Sequence, residues 1–126
     1  MTKNQNIRED IERIEEAYEF MLAYAAQGRV DEGAGPDGAH IRNFLNQFLD
    51  ASQNIMANID EISAAYKDSD SFINNFENDG NIMISVLVML LQKDNISSEM
   101  IDNANGLITV RSYLTSLFFI DKSLLD

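Results

Sequence analysis

Ile82-Met83-Ile84-Ser85-Val86-Leu87-Val88-Met89-Leu90-Leu91 decides how this chain is read, because Ser85 is its single polar residue. Neither a period of two nor one of 3.6 picks out a polar face. A segment apolar on every side is expected to be enclosed by other segments. As a helix, ten residues rise about 15 Å, half of what a bilayer core requires, so the run reads as a buried core element and not a membrane span. Its Ile and Val content would also suit a strand. No second strand-like run exists in the chain, and a lone buried strand would leave its backbone polar groups unpaired, so a helix is expected.

Working outward, Asn78-Asp79-Gly80 is a turn signal in front of the run. A short helix over 70–78 precedes it, with Phe72, Ile73 and Phe76 as its apolar face. Ser69 or Ser71 is the candidate N-cap after a polar break at 67–71. Behind the run, Lys93–Asn95 predicts a turn. Ser97 or Ser98 then caps a last helix over 98–121, with Met100, Ile101, Ala104, Leu107, Ile108, Leu114 and Phe118 as its stripe. Asn103, Asn105 and Gly106 weaken its middle, which predicts a kink or two shorter helices. The Leu117–Ile120 end, with Leu124 and Leu125, is too apolar for a free tail.

The N-terminal half carries two heptad seams. Ile7, Ile11, Ile14, Tyr18, Met21 and Ala25 step by four and three along a helix over 6–27, and Gly28 is a C-terminal cap signal. Phe20 and Tyr24 lie on its flank. Gly33, Gly35, Pro36 and Gly38 mark a loop over 29–37. A second helix starts at Pro36, with Ile41, Leu45, Phe48, Ser52, Ile55, Ile59, Ile62 and Tyr66 as its seam. From Ile41 to Tyr66 it would rise about 38 Å, against a domain diameter of roughly 36 Å. It therefore crosses the whole domain or protrudes to meet another copy. The fold expected is all-α: an up-and-down bundle of four to five helices with a long N-terminal helical hairpin, as a single domain over 1–126.

Composition bounds the chemistry. The chain has 126 residues, 45 % of them apolar, enough for a real core. It has no cysteine, which removes disulfides, thiolate metal sites and a thiol nucleophile together. Residues 1–17 are too charged for a secretory signal, so a cytoplasmic protein is expected. The net charge is −12, and residues 1–36, 37–70 and 71–126 contribute −4 each. Direct contact with nucleic acid or anionic membrane is disfavoured, because both need Lys and Arg. A basic protein partner, or plain solubility, is what the charge favours.

His40 is the single histidine. A phosphotransfer bundle places such a His in mid-helix, usually with Lys three residues on. Here it opens the second helix, and Asn43 holds the Lys position, so a solvated first-turn His is the better reading. Asn75–Asp79 with Gly80 and Ile82 resembles part of a calcium-binding EF-hand loop. Its twelfth position would be Val86, and the bidentate carboxylate is missing. Glu12, Glu15, Glu16 and Glu19 flank the first seam without occupying it, as a solvated face does. No catalytic residue, cofactor site or metal site is therefore assigned, and a non-enzyme is expected. The aromatics Phe20, Tyr24, Phe44, Phe48, Phe118 and Phe119 are the candidate partner-binding residues, against a core role that Phe72 and Phe76 share. The expected function is a protein–protein interaction module (an adaptor, small assembly chaperone or regulatory subunit), forming a homodimer along the first two helices or the last one. The alternatives are an acidic mimic of nucleic acid that inhibits a DNA- or RNA-binding protein, and a phosphotransfer domain using His40.

Overall fold

The computed structural model describes residues 3–33 and 36–124. Six helices carry the chain: α1 Lys3–Ala26, α2 Pro36–Ala57, α3 Ile59–Ala64, α4 Asp70–Leu91, α5 Ser98–Asn105 and α6 Ile108–Leu124. No strand occurs among the described residues, and the architecture is an all-α bundle. α1, α2, α4 and α6 are the four long members, running up, down, up and down. Side-chain pairs fix these directions: Gln47 on Arg13 and Asn54 on Asp10 between α1 and α2, Arg42 on Leu91 between α2 and α4, Ser112 on Asp79 between α4 and α6. α3 and α5 are short pieces at opposite ends of the bundle.

The first seam holds at its start and then turns. The buried apolar residues of α1 are Ile7, Ile11, Ile14, Ala17, Met21 and Tyr24, with Asp10 buried beside them. A rotation of 100° per residue keeps Tyr18 and Ala25 in line with Ile7 and Ile11, yet both are half-buried. The packing of α5 on α1 and the Tyr24–Ile96 hydrogen bond turn the covered face toward Ala17 and Tyr24 instead. Gly28 ends the helix region at φ +65°, where it carries no side-chain penalty.

Three expectations need correction. The second helix does not run to Tyr66: it stops at Ala57, and α3 starts at Ile59. Asn58 makes the break at φ −108°, ψ 19°, its carboxamide donating to the Asn54 carbonyl at 2.8 Å. That side chain competes with the backbone for the same acceptor. The chain then folds back through Asp68, which takes a left-handed φ of 56°, and does not protrude.

The second correction concerns Asn78-Asp79-Gly80, which is no turn. α4 runs unbroken from Asp70 to Leu91, so the short helix over 70–78 and the apolar run are one element. The EF-hand-like positions lie on helix and form no loop. Gly80 is there for closeness: a Cβ would sit 2.6 Å from the Met56 side chain and 3.2 Å from the Tyr113 ring. The helix cost of glycine, about 1 kcal/mol, is offset by the near approach of α2 and α6. Ser69 takes the N-cap position, but its hydroxyl makes no capping bond.

Third, the apolar run is not enclosed. Met83, Leu87 and Leu90 are buried, while Ile82, Ser85 and Met89 are exposed. The last helix divides at Gly106, as its weak middle suggested, and Ser97 does cap α5, its hydroxyl accepting from the Met100 N–H at 3.2 Å. Asn105 is buried with neither carboxamide atom hydrogen-bonded, a local cost of about 1–3 kcal/mol.

Candidate functional site

The described part of the 29–37 loop, Arg29–Gly33, is a clasp. Arg29 N–H donates to the Ser98 hydroxyl at 2.8 Å, and Ser98 N–H donates to the Arg29 carbonyl at 2.9 Å. The Ser98 hydroxyl donates in turn to the Tyr24 carbonyl at 2.6 Å. The phenol of Tyr24 donates to the Ile96 carbonyl at 2.6 Å. Burial, with Glu32 next in weight, pushes that phenol above its ordinary pKa. Glu32 accepts from Ile96 N–H at 2.8 Å and from both arms of Arg42, at 2.5 and 2.9 Å. Arg42 also reaches the carbonyls of Leu91, Lys93 and Asp94 beyond the last turn of α4. The bond to Glu32 raises the Arg42 pKa further, so the guanidinium stays charged. The cleft beside the clasp holds about 620 Å³, but Arg29, Asn95, Ser97 and Ser98 in its wall bond within the clasp or cap α5. Its polar groups serve the fold.

The six candidate aromatics do not converge on one surface. Phe20 stacks on Phe44 at 4.3 Å and on Tyr24 at 6.4 Å, with His40 edge-on to Phe20 at 6.2 Å. Phe20 and Phe44 are half-buried in the wall of an α1–α2 cleft with Glu16, His40 and Gln47. Tyr24 and Phe48 are buried and offer a partner nothing in this conformation. Phe118 and Phe119 are exposed near the far end of α6, Phe119 meeting Phe72 edge-on at 5.5 Å. Phe76 stacks on buried Tyr113 at 5.6 Å, whose phenol donates to Ser52 and is pushed upward in pKa by burial.

The open feature lies elsewhere. α5 packs mainly on α1, because Ser98 ties its first turn to the end of that helix. This draws α5 away from α4 and leaves a groove of about 330 Å³ between them. Val86, Met89, Leu90 and Lys93 form the α4 wall; Met100, Ala104 and Leu107 form the other. Met89 is 65 % and Leu107 44 % exposed. No carboxylate lines the groove. A signal for this region was present in the sequence. The even division into three segments of −4 conceals that residues 80–120 hold three acidic groups, Asp94, Glu99 and Asp102, and two basic ones, Lys93 and Arg111. This stretch therefore carries −1 of the −12.

Among the described residues no group of three or more His, Cys, Asp or Glu side chains is placed to hold a metal ion. None of the helices among them is long and apolar enough to cross a membrane. The buried carboxylate of Asp79 is engaged by Ser112 at 2.6 Å and by Asn75 at 3.2 Å. Comparison with protein-family models, with curated proteins and with solved structures finds no match to this chain.

Proposed function

We propose that this protein is a non-enzymatic interaction module whose α4–α5 groove receives a helical segment of another protein. The observation that carries this reading is the exposure of Met89 and Leu107, with half-buried Val86 beside them, along one apolar trough. From Val86 to Lys93 the α4 wall runs about 10 Å, two turns of a helix. Two turns accept anchors spaced i, i+3 or i+4, and i+7, the pattern by which an amphipathic helix lies in a groove. Met89 and Met100 suit the task, because an unbranched thioether side chain reshapes to fit a guest. The carboxylates Glu99 and Asp102 face the cleft on the other side of α5, so no acidic group opposes the apolar face of the guest.

Photo-crosslinking tests this. A benzoylphenylalanine at position 89 should capture a discrete protein in a lysate of the native host, and the same group at exposed Gln53 on α2 should not. Leu107→Asp should abolish the capture without altering the thermal melt. Capture from both positions alike, or of nothing but further copies of this chain, would overturn the groove as the partner site.

A further inference from the structure

The geometry points to a second surface, the outer face of the α4–α6 pair, as the place where two copies of this chain join. It adjoins the groove, with which it shares Met89, and otherwise rests on different residues. With 100° between successive residues, Ile82, Ser85 and Met89 fall within about 60° of one another on α4. Ile108, Thr115 and Phe119 fall within about 40° on α6. The Ser112–Asp79 hydrogen bond and the Phe119–Phe72 edge contact set α4 and α6 antiparallel with Ile108 level with the Ile82–Met83 turn, so the two stripes follow one another along the bundle as one band, Thr115 and Phe119 toward one end and Ser85 and Met89 toward the other. All six residues are exposed, Ile108 at 85 % and Phe119 at 57 %. None is charged.

Three observations choose a second copy as the occupant. Apolar exposure is concentrated on this side of the molecule: among the described residues, Ile82, Met89, Ile108 and Phe119 on the face and Leu107 and Phe118 beside it are exposed large hydrophobics, against Leu22 and Val30 in the rest of the chain. Charge is thinned in the same stretch, 80–120, to a net −1. An interface core depleted of charge and rich in apolar side chains is most characteristic of homodimers. A two-fold axis would pair the face with itself, setting the acidic α1–α2 hairpins on the outside, where they repel least. A basic partner, by contrast, would be drawn to the acidic hairpin and not to this face.

Sedimentation of the full chain at micromolar concentration tests this, at about 0.1 M and about 1 M salt, where the screening length is roughly 10 and 3 Å. The expected species has twice the chain mass, and its dissociation constant falls with salt, because salt screens the repulsion between two chains of −12 each. Ile108→Asp and Thr115→Arg should each weaken the dimer at least about tenfold. Both sites are exposed, so circular dichroism should show an unchanged fold. Leu22→Asp, on exposed α1 surface, should leave the dimer intact. A monomer at both salts, a dimer indifferent to both substitutions, or one that loosens as salt rises would overturn the proposal. Since neither Ile108 nor Thr115 lines the groove, failure here is separable from failure of the partner reading.

Discussion

Leu87 and Met89 stand two residues apart in one helix, yet Leu87 is fully covered and Met89 is 65 % exposed. Both belong to a run whose composition offers no reason to tell them apart. The difference comes from the neighbours. α2 and α6 press on one side of α4, where Gly80, Met83, Leu87 and Leu90 lie. On the other side α5 would have closed the ring, but Ser98 fastens it to α1. Apolar character states what a residue can bury; the packing of the other helices decides what it does bury.

The largest effect that can break this comparison is expected at its covered side. Leu87→Asp places an unpaired charge in the core, at a cost of several kcal/mol against a typical stability of about 5–15. The variant should show no cooperative urea transition, and a soluble, cooperatively folding Leu87→Asp protein would move the centre of the fold elsewhere. Leu87→Ala should cost about 2–5 kcal/mol by the same measurement.

Gly80→Val probes the covered side two turns earlier. Its side chain meets Met56 and the Tyr113 ring, which Ser52 anchors. Overpacking of about 1–3 kcal/mol should appear as a lower melting temperature. At the end of the run, Arg42→Ala strands the Glu32 carboxylate and the carbonyls beyond α4. A loss of about 1–3 kcal/mol is expected, with faster amide exchange at Ile96 and Ser98 as the local signature.

The open side should be nearly silent in stability. At concentrations low enough to keep the chains apart, Met89→Asp is expected to stay within about 0.5 kcal/mol of the parent, and a loss there comparable to that of Leu87→Ala would show that the chain covers this face itself. The smallest effect lies on the acidic side of the bundle. Burial, then the charges of Asp121, Glu12 and Glu19, hold the Glu15 carboxyl above its ordinary pKa. The fold thus favours the protonated form, so this group's contribution is best in acid and is lost as pH rises through its folded pKa. Glu15→Gln should raise the melting temperature slightly at neutral pH, and the gain should vanish below the ordinary carboxylate range.

Much of the fold was legible because helix periodicity is written locally. The seams of α1 and α2, the Gly28 stop, the Ser97 cap and the weak point at Gly106 all rest on nearby residues. The misreadings share one cause. Asn78-Asp79-Gly80 has turn chemistry in isolation, but Gly80 lies where two other helices need the space of a Cβ. Asn58 breaks a seam that looked continuous because its carboxamide finds a backbone acceptor one turn back. Tyr24 lies on the flank of the first seam by spacing, and its hydrogen bond to Ile96 and the packing of α5 make it core, whereas Phe48 is buried where the second seam puts it. Nothing in the spacing announces that Arg42 will reach Glu32, Leu91, Lys93 and Asp94. The apolar, charge-poor stretch 80–120 was countable beforehand, and its exposure was not.

The sequence by itself determined that this chain is helical, acidic and built around Ile82–Leu91, since period, composition and charge are properties of neighbours along the chain. Only the tertiary structure decided that the run has two unlike faces. That outcome depends on where α5 is fastened, and the fastening joins residues about seventy positions apart, Tyr24 and Arg29 to Ser98.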